Sequence, residues 1–293
     1  MMRLSVLMIA LVGLAPQQAA RVPLHRTVDL AAGEETTVAL SDGSKAVVRL
    51  IGVDETRDRF RSAVRDARVR VEVNGAKAEL SCAIYRLPVV VGGVQIDCPA
   101  TAALRTNANS DAWALEKSAR IRIWPAGSPW IEPAAFKYPA RQKWFASGTQ
   151  MANEPTFVDG GEVPGSKSIY YHNGLDIGGA EGLVDVIAAT DGLVVSSGTD
   201  RLPGHDGTPV APRYDVVYLL DARGWYYRYS HLKTIEPAIR PGATVRMGQP
   251  IGLLGKEGGS GGWSHLHFEI SSRQPSGRWG TEEGYAFLGA PAS

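Results

Sequence analysis

Ser264-His265-Leu266-His267-Phe268-Glu269-Ile270 alternates polar and apolar side chains with a period of two. That period predicts a half-buried β-strand, since successive side chains of an extended chain leave opposite faces. His265 and His267 then share one face, and Leu266 and Phe268 share the other. Two imidazoles on one strand face can offer nitrogen ligands to a metal. Alone, an HxH pair fits an ordinary surface or packed pair equally well.

Two further motifs bear on this strand. In His172-Asn173-Gly174-Leu175-Asp176, Gly174 and the nearby Gly178 and Gly179 disfavour a helix. In an extended chain positions i and i+4 again share a face, so His172 and Asp176 can turn towards one ion. The third motif is Tyr227-Arg228-Tyr229-Ser230-His231, whose alternation puts Tyr227, Tyr229 and His231 on one side. Two His and one carboxylate form a zinc set that leaves a coordination position open, whereas closed structural sites use four Cys/His ligands. Zinc held in this way lowers the pKa of bound water to about 7 and polarises a carbonyl, the chemistry of amide hydrolysis. Two remaining His would take the proton of the attacking water and stabilise the developing oxyanion.

Together, His172-x-x-x-Asp176, Tyr229-Ser230-His231-Leu232 and Ser264-His265-Leu266-His267 resemble the lysostaphin/LytM-type zinc endopeptidases. Gly174-Leu175-Asp176-Ile177, Ala188-Ala189-Thr190-Asp191-Gly192 and Val245-Arg246-Met247-Gly248-Gln249-Pro250-Ile251-Gly252 extend the resemblance over roughly residues 165–272. It implies an antiparallel β-sheet groove of the duplicated-hybrid-motif type, with one zinc ion on its floor. Carried over by position, it implies His172, Asp176 and His267 as zinc ligands and His231 and His265 as the catalytic pair. Peptides of bacterial peptidoglycan are the implied substrate. The alternative is a wall-binding or regulatory module that activates another hydrolase, and such a module has no need of both His231 and His265. Residues 197–213, with His205-Asp206, depart from the pattern and read as a solvent loop on the groove rim. Trp263, after the Gly258–Gly262 run, either lines the groove or simply packs. Gly252-Leu253-Leu254-Gly255-Lys256-Glu257 mimics a phosphate loop, but its spacing fails and Glu257 stands where Ser or Thr should follow the Lys.

Upstream the pattern is also β. Ala67, Val69, Val71 and Val73 alternate with charged residues, Asn74-Gly75 is a strong two-residue hairpin signal, and Ala76, Ala78, Leu80 and Cys82 return. Folding about Asn74-Gly75 pairs Val73 with Ala76, Val71 with Ala78 and Val69 with Leu80, so the apolar faces coincide. Residues 36–40 and 45–51 form another strand pair, 58–66 a short helix, and 120–123 a last strand. Cys82 and Cys98 (the latter in parity with Val94 and Ile96) both point inward, and in an exported chain they are expected to form a disulfide, the alternative being two buried thiols. Pro125, Pro129, Pro133 and Pro139, interleaved with aromatics, mark a boundary. The expected organisation is mainly β: residues 21–124 an accessory domain, 125–145 a packed linker, 146–293 the zinc peptidase domain.

Residues 1–20 read as a secretory signal peptide, with Arg3, an apolar run over residues 4–15, and cleavage after Ala20. The run is too short to span a bilayer, which needs about 20 residues, so the mature chain has no expected membrane span and is placed in the periplasm or at the cell wall. With 31 Lys+Arg against 30 Asp+Glu the net charge is +1, which argues against electrostatic capture of nucleic acid. The sequence sets no oligomeric state.

Overall fold

The computed structural model describes residues 21–59, 62–82, 86–106, 108–142, 149–150, 155–157 and 169–288. The expected signal peptide lies outside them. Among the described residues no helix is long and apolar enough to cross a membrane.

The N-terminal strands are β1 (Arg26–Leu30), β2 (Glu35–Ala39), β3 (Lys45–Arg57), β4 (Val64–Val73), β5 (Ala76–Ser81), β6 (Val89–Val91), β7 (Val94–Thr101) and β8 (Ala119–Pro125). They form two four-stranded sheets, ordered β2-β3-β4-β5 and β1-β8-β7-β6. Their apolar faces share one core, with Val48, Leu50, Val69, Val71, Ile96 and Ile121 fully buried. The β4–β5 register matches the sequence reading: Val73 pairs with Ala76, Val71 with Ala78 and Val69 with Leu80. Asn74 and Gly75 take φ of 50° and 83°, the left-handed pair that a tight hairpin turn needs.

One expectation for this region is corrected. None of the described residues within 58–66 is helical. The β3–β4 ladder runs on to Arg57↔Val64, and the Asp58 carboxylate accepts the Ala63 N–H at 2.8 Å. Pairing of the two flanking strands and this local turn bond together override helix propensity. Cys82 and Cys98 do both point into the core, yet they are free thiols. Burial and the adjacent Cys82 push the Cys98 thiol well up. Strand parity brings the sulfurs together; oxidation depends on the compartment, which parity does not encode.

The C-terminal strands are β9 (Thr149–Gln150), β10 (Pro155–Phe157), β11 (Ile169–Tyr171), β12 (Leu175–Gly178), β13 (Asp185–Ile187), β14 (Gly192–Ser197), β15 (Asp200–Arg201), β16 (Val217–Leu220), β17 (Tyr226–Ser230), β18 (Leu232–Ile235), β19 (Thr244–Val245), β20 (Pro250–Leu254), β21 (His265–Arg273) and β22 (Trp279–Thr281). The large antiparallel sheet runs β15-β14-β16-β17-β21-β12-β9. A small sheet, β13-β20-β18, covers one of its faces. Leu266, Phe268 and Ile270 point into the core with Ile177, Leu219 and Ile251. The Pro-rich segment is packed down: Ile131 and Ala140 enter this core, and Trp130, Phe136 and Tyr138 lie against it.

The two β regions are joined by buried contacts. Ile169 and Tyr171 of β11 share an apolar cluster with Ala63, Val64, Leu104 and Trp113. The Val64 N–H donates to the Tyr171 hydroxyl at 2.9 Å. The 1% exposed Arg122 forks onto Asp97, donates to Glu282 at 3.0 Å and to the Glu283 carbonyl at 2.7 Å, and lies 3.5 Å from the Glu283 carboxylate. His25 lies 3.4 Å from Glu282. Burial raises the Glu282 carboxyl, but His25 and Arg122 outweigh it and hold the group down at about 2. A depressed carboxyl stabilises the fold above the unfolded value of about 4.3, and that contribution is lost as pH falls towards 2. Arg122→Met strands three acidic side chains and should cost about 3–5 kcal/mol of unfolding free energy in a denaturant titration. A loss below about 1 kcal/mol would mean that the cluster does not hold the two regions together.

Candidate metal centre

Gly174 starts the site. Its φ is +84°, and a Cβ there would meet the Phe268 carbonyl oxygen at 2.6 Å. Only glycine lets the chain turn so close to β21 after His172 and enter β12 beside it. The β12–β21 register then pairs Asp176 directly with His267, and β17 pairs Ser230 with His267 on the other side. His265 and His267 lie opposite Leu266 and Phe268, as the alternation of β21 requires.

His172, Asp176 and His267 converge. His172 Nε2 is 3.2 Å from His267 Nδ1 and 3.1 Å from Asp176 Oδ1, and His267 Nδ1 is 2.8 Å from Asp176 Oδ1. These are the only three-residue donor set of this kind among the described residues. Bonds of about 2.0–2.1 Å at tetrahedral angles place zinc ligands about 3.3 Å apart, so a small opening of the cluster fits the ion. The donors also suit it: two imidazoles and one ionised carboxylate. Burial raises the Asp176 carboxyl, but bonds to His172 and His267 win and hold it well below the usual range. His267 is shifted upward: burial opposes its charge, and Asp176 and Glu269 favour it more strongly. Glu269 Oε2 lies 3.7 Å from His267 Nε2, on the ring edge away from the cluster, where a carboxylate fixes the orientation of a metal-binding imidazole.

His265 Nε2 is 3.4 Å from Asp176 Oδ2, and its Nδ1–H donates to the Trp263 carbonyl at 3.1 Å. The Trp263 ring stacks on His265 with centroids 4.1 Å apart, while remaining 38% exposed. Trp263 therefore both packs and faces outward. His231 lies 4.7 Å from His265, ring to ring.

His231 reaches that place by breaking the alternation of its strand. Tyr227 and Tyr229 point into the core, where Tyr229 accepts the Ala189 N–H at 2.9 Å and Tyr227 donates to Asp221 at 2.8 Å. Parity would bury His231 with them. Instead β17 ends at Ser230, and His231 takes φ of +67°, which turns its ring to the metal-centre side. Left-handed backbone at a residue with a Cβ costs about 1–2 kcal/mol. The buried Asp215 offsets this by accepting the His231 N–H at 3.0 Å. The His231 Nδ1–H donates to the Glu257 carbonyl at 2.6 Å, leaving Nε2 as an acceptor. Gly255 permits this approach, because a Cβ there would meet the Lys233 nitrogen at 2.5 Å and the His231 oxygen at 2.8 Å. Burial, more than the neighbouring imidazoles, pushes His231 down to about 4, and burial lowers His265 as well.

All five expected site residues thus meet at one place. The expected solvent loop is largely exposed, with one anchor: Val210 is 6% exposed against Tyr218 and Tyr226, and His205 Nδ1 bonds the Tyr226 hydroxyl at 3.0 Å. Asp215 is the residue that sequence reasoning missed. It lies 16 residues before His231, and only the fold joins them. Glu269 was legible in principle, since it shares strand parity with His265 and His267.

Residues 170–277 match the profile of peptidase family M23. Among solved structures, the catalytic domain of the antimicrobial peptidase lysostaphin from Staphylococcus simulans is 22% identical with a TM-score of 0.35, covering 49% of this chain and 93% of that one. The longer lysostaphin chain is covered over 50% of its length. A variant catalytic domain of the prophage-encoded M23 protein EnpA from Enterococcus faecalis is 23% identical with a TM-score of 0.28, covering 37% of this chain and 74% of that one. Csd3 from Helicobacter pylori is 15% identical with a TM-score of 0.35, covering 80% of this chain and 75% of that one. No curated protein matches the chain.

The environment of His231 makes a direct prediction. In zinc-free protein, its ring protons followed by NMR should show no titration above about pH 5. A midpoint at the ordinary histidine value of about 6.5 would contradict the burial described here.

Proposed function

We propose that the chain is an exported zinc endopeptidase that hydrolyses peptide bonds of bacterial peptidoglycan. The observation that carries this reading is the meeting of three mutually close donors, His172, Asp176 and His267, with two neutral imidazoles, His231 and His265, on one side of a sheet. The first three would hold one zinc ion. Bound zinc supplies Lewis-acid polarisation of a carbonyl and a water of lowered pKa.

The chain's own groups do the rest. Both catalytic imidazoles engage Nδ1–H with a backbone carbonyl, so each presents Nε2 as a proton acceptor. One takes the proton of the attacking water. Protonated, an imidazole at either position donates to the carbonyl oxygen as negative charge grows on it. Asp215 and Trp263 keep the pair in place. The N-terminal sheets support reading residues 21–124 as an accessory domain, 125–145 as a packed linker and 146–293 as the peptidase domain.

His231→Ala and His265→Ala should each keep close to one zinc per chain while losing about 10²–10⁴-fold in peptidoglycan hydrolysis, read by mass spectrometry of released fragments. Wild-type activity in either variant would remove that histidine from the mechanism. Intact activity in both, or none in the wild type, would favour the wall-binding reading. Export has its own check. Protein recovered from the periplasm should contain no free thiol under non-reducing denaturation, the adjacent Cys82 and Cys98 having formed a bond. Two free thiols there would contradict it.

A further inference from the structure

Paired residues on adjacent strands form rows across the metal-centre face of the large sheet. One row holds Asp176, His267 and Ser230. The next, about 7 Å along the strands, holds Glu269, Arg228 and Tyr218. The third holds Ser271, Tyr226 and Leu220, and it is roofed. Val210 packs on Tyr226, His205 bonds the Tyr226 hydroxyl, and the Trp279 ring meets Tyr226 edge-on at 5.1 Å. Beyond the row of Arg228 and Glu269, the face that starts at the metal centre is therefore covered.

The closed end carries a cation. The Arg228 side chain is 27% exposed. Its ion-pair partner is Glu269, at a long 3.4 Å, and its buried Nε has no hydrogen-bond partner among the described residues. Glu269 is shared, since it also faces His267 Nε2 at 3.7 Å and lies 3.4 Å from the Ser271 hydroxyl. The exposed part of the guanidinium is thus only weakly compensated. Because Glu269 touches both Arg228 and His267, the two are separated by about the reach of two extended residues, ~7 Å.

We propose that Arg228 is a subsite for a free carboxylate of the substrate peptide, within about two residues of the scissile bond. The carboxylate is either the peptide's C-terminus or an acidic side chain; both present the planar oxygen pair that a guanidinium binds through two N–H groups. Val210 and His205, seated over Tyr226, limit how far a chain extends past it. Acidic stem peptides then suit this groove better than a neutral oligoglycine bridge. The inference rests on the peptidase reading above.

The test uses three synthetic peptides of one backbone sequence. One has a free C-terminus and no acidic side chain, one has an amidated C-terminus and one acidic side chain, and one is neutral. Binding is measured by fluorescence anisotropy to the zinc-loaded full chain carrying His265→Ala, so that turnover is not required. At least one carboxylate peptide should bind roughly tenfold tighter than the neutral one, the scale of a charge-assisted hydrogen bond. The arm that does so identifies the source. Adding Arg228→Gln should bring the ratio close to one, and Arg228→Lys should keep part of it. Comparing peptides on the same protein cancels any effect of these changes on His267. Equal affinity for all three peptides, no binding of any, or a preference that survives Arg228→Gln overturns the proposal. If Arg228→Gln does not fold, the ratio with Arg228 present and its decrease in Arg228→Lys decide. Failure of the peptidase reading is seen separately, as binding without hydrolysis by the wild-type chain.

Discussion

The Asp176–His267 pair is the constraint on which the peptidase region turns. A carboxylate in an interior position is costly unless it is paired and hydrogen-bonded. Asp176 is 5% exposed, and what offsets that cost is its place opposite His267 in the β12–β21 ladder with His172 alongside. A one-residue slip of β12 would turn Asp176 into the core and Ile177 out of it. The apolar burial of Ile177, Leu266 and Phe268 on the far face therefore holds the register that assembles the polar face. Core and site are two sides of one strand pairing.

His231 is the exception that makes the site asymmetric. It comes from a strand whose neighbouring tyrosines are core residues, and it reaches the other side through one left-handed residue. Local strain at a functional position is sustained when surrounding contacts over-determine it. Here those contacts are Asp215 on the backbone N–H, the Glu257 carbonyl on the ring, and the close pass that Gly255 permits. None of these residues touches the three-donor cluster, yet each fixes the second imidazole beside it.

Much of this was legible before any coordinates. Strand periodicity placed β21 and its faces, and Asn74-Gly75 set the β4–β5 register. The motif spacing named the five side chains that converge. What the sequence did not carry was non-local or conformational. The missing helix after Arg57 depends on how far the β3–β4 ladder runs, which is to Arg57↔Val64. The side on which His231 lies depends on a single φ angle rather than on parity. The seating of Val210 and His205 over Tyr226 depends on an apolar patch that exists only once β16 and β17 are paired. Loops without period are where sequence patterning loses its warrant, and that is where the groove takes its shape.

The N-terminal sheets bear on the same centre from behind. They pack against β11, which leads into His172, and through Arg122 they grip the segment that follows β22. The peptidase region and its neighbour thus share buried charge as well as apolar surface. The central claim is that His172, Asp176 and His267 form one metal centre. Anomalous diffraction at the zinc edge, from crystals of the zinc-loaded full chain, tests it most directly. The account predicts a single strong peak bonded to His172 Nε2, Asp176 Oδ1 and His267 Nδ1, with His231 and His265 outside bonding distance. A peak held by other residues, or no peak at these three in zinc-saturated crystals, would contradict it.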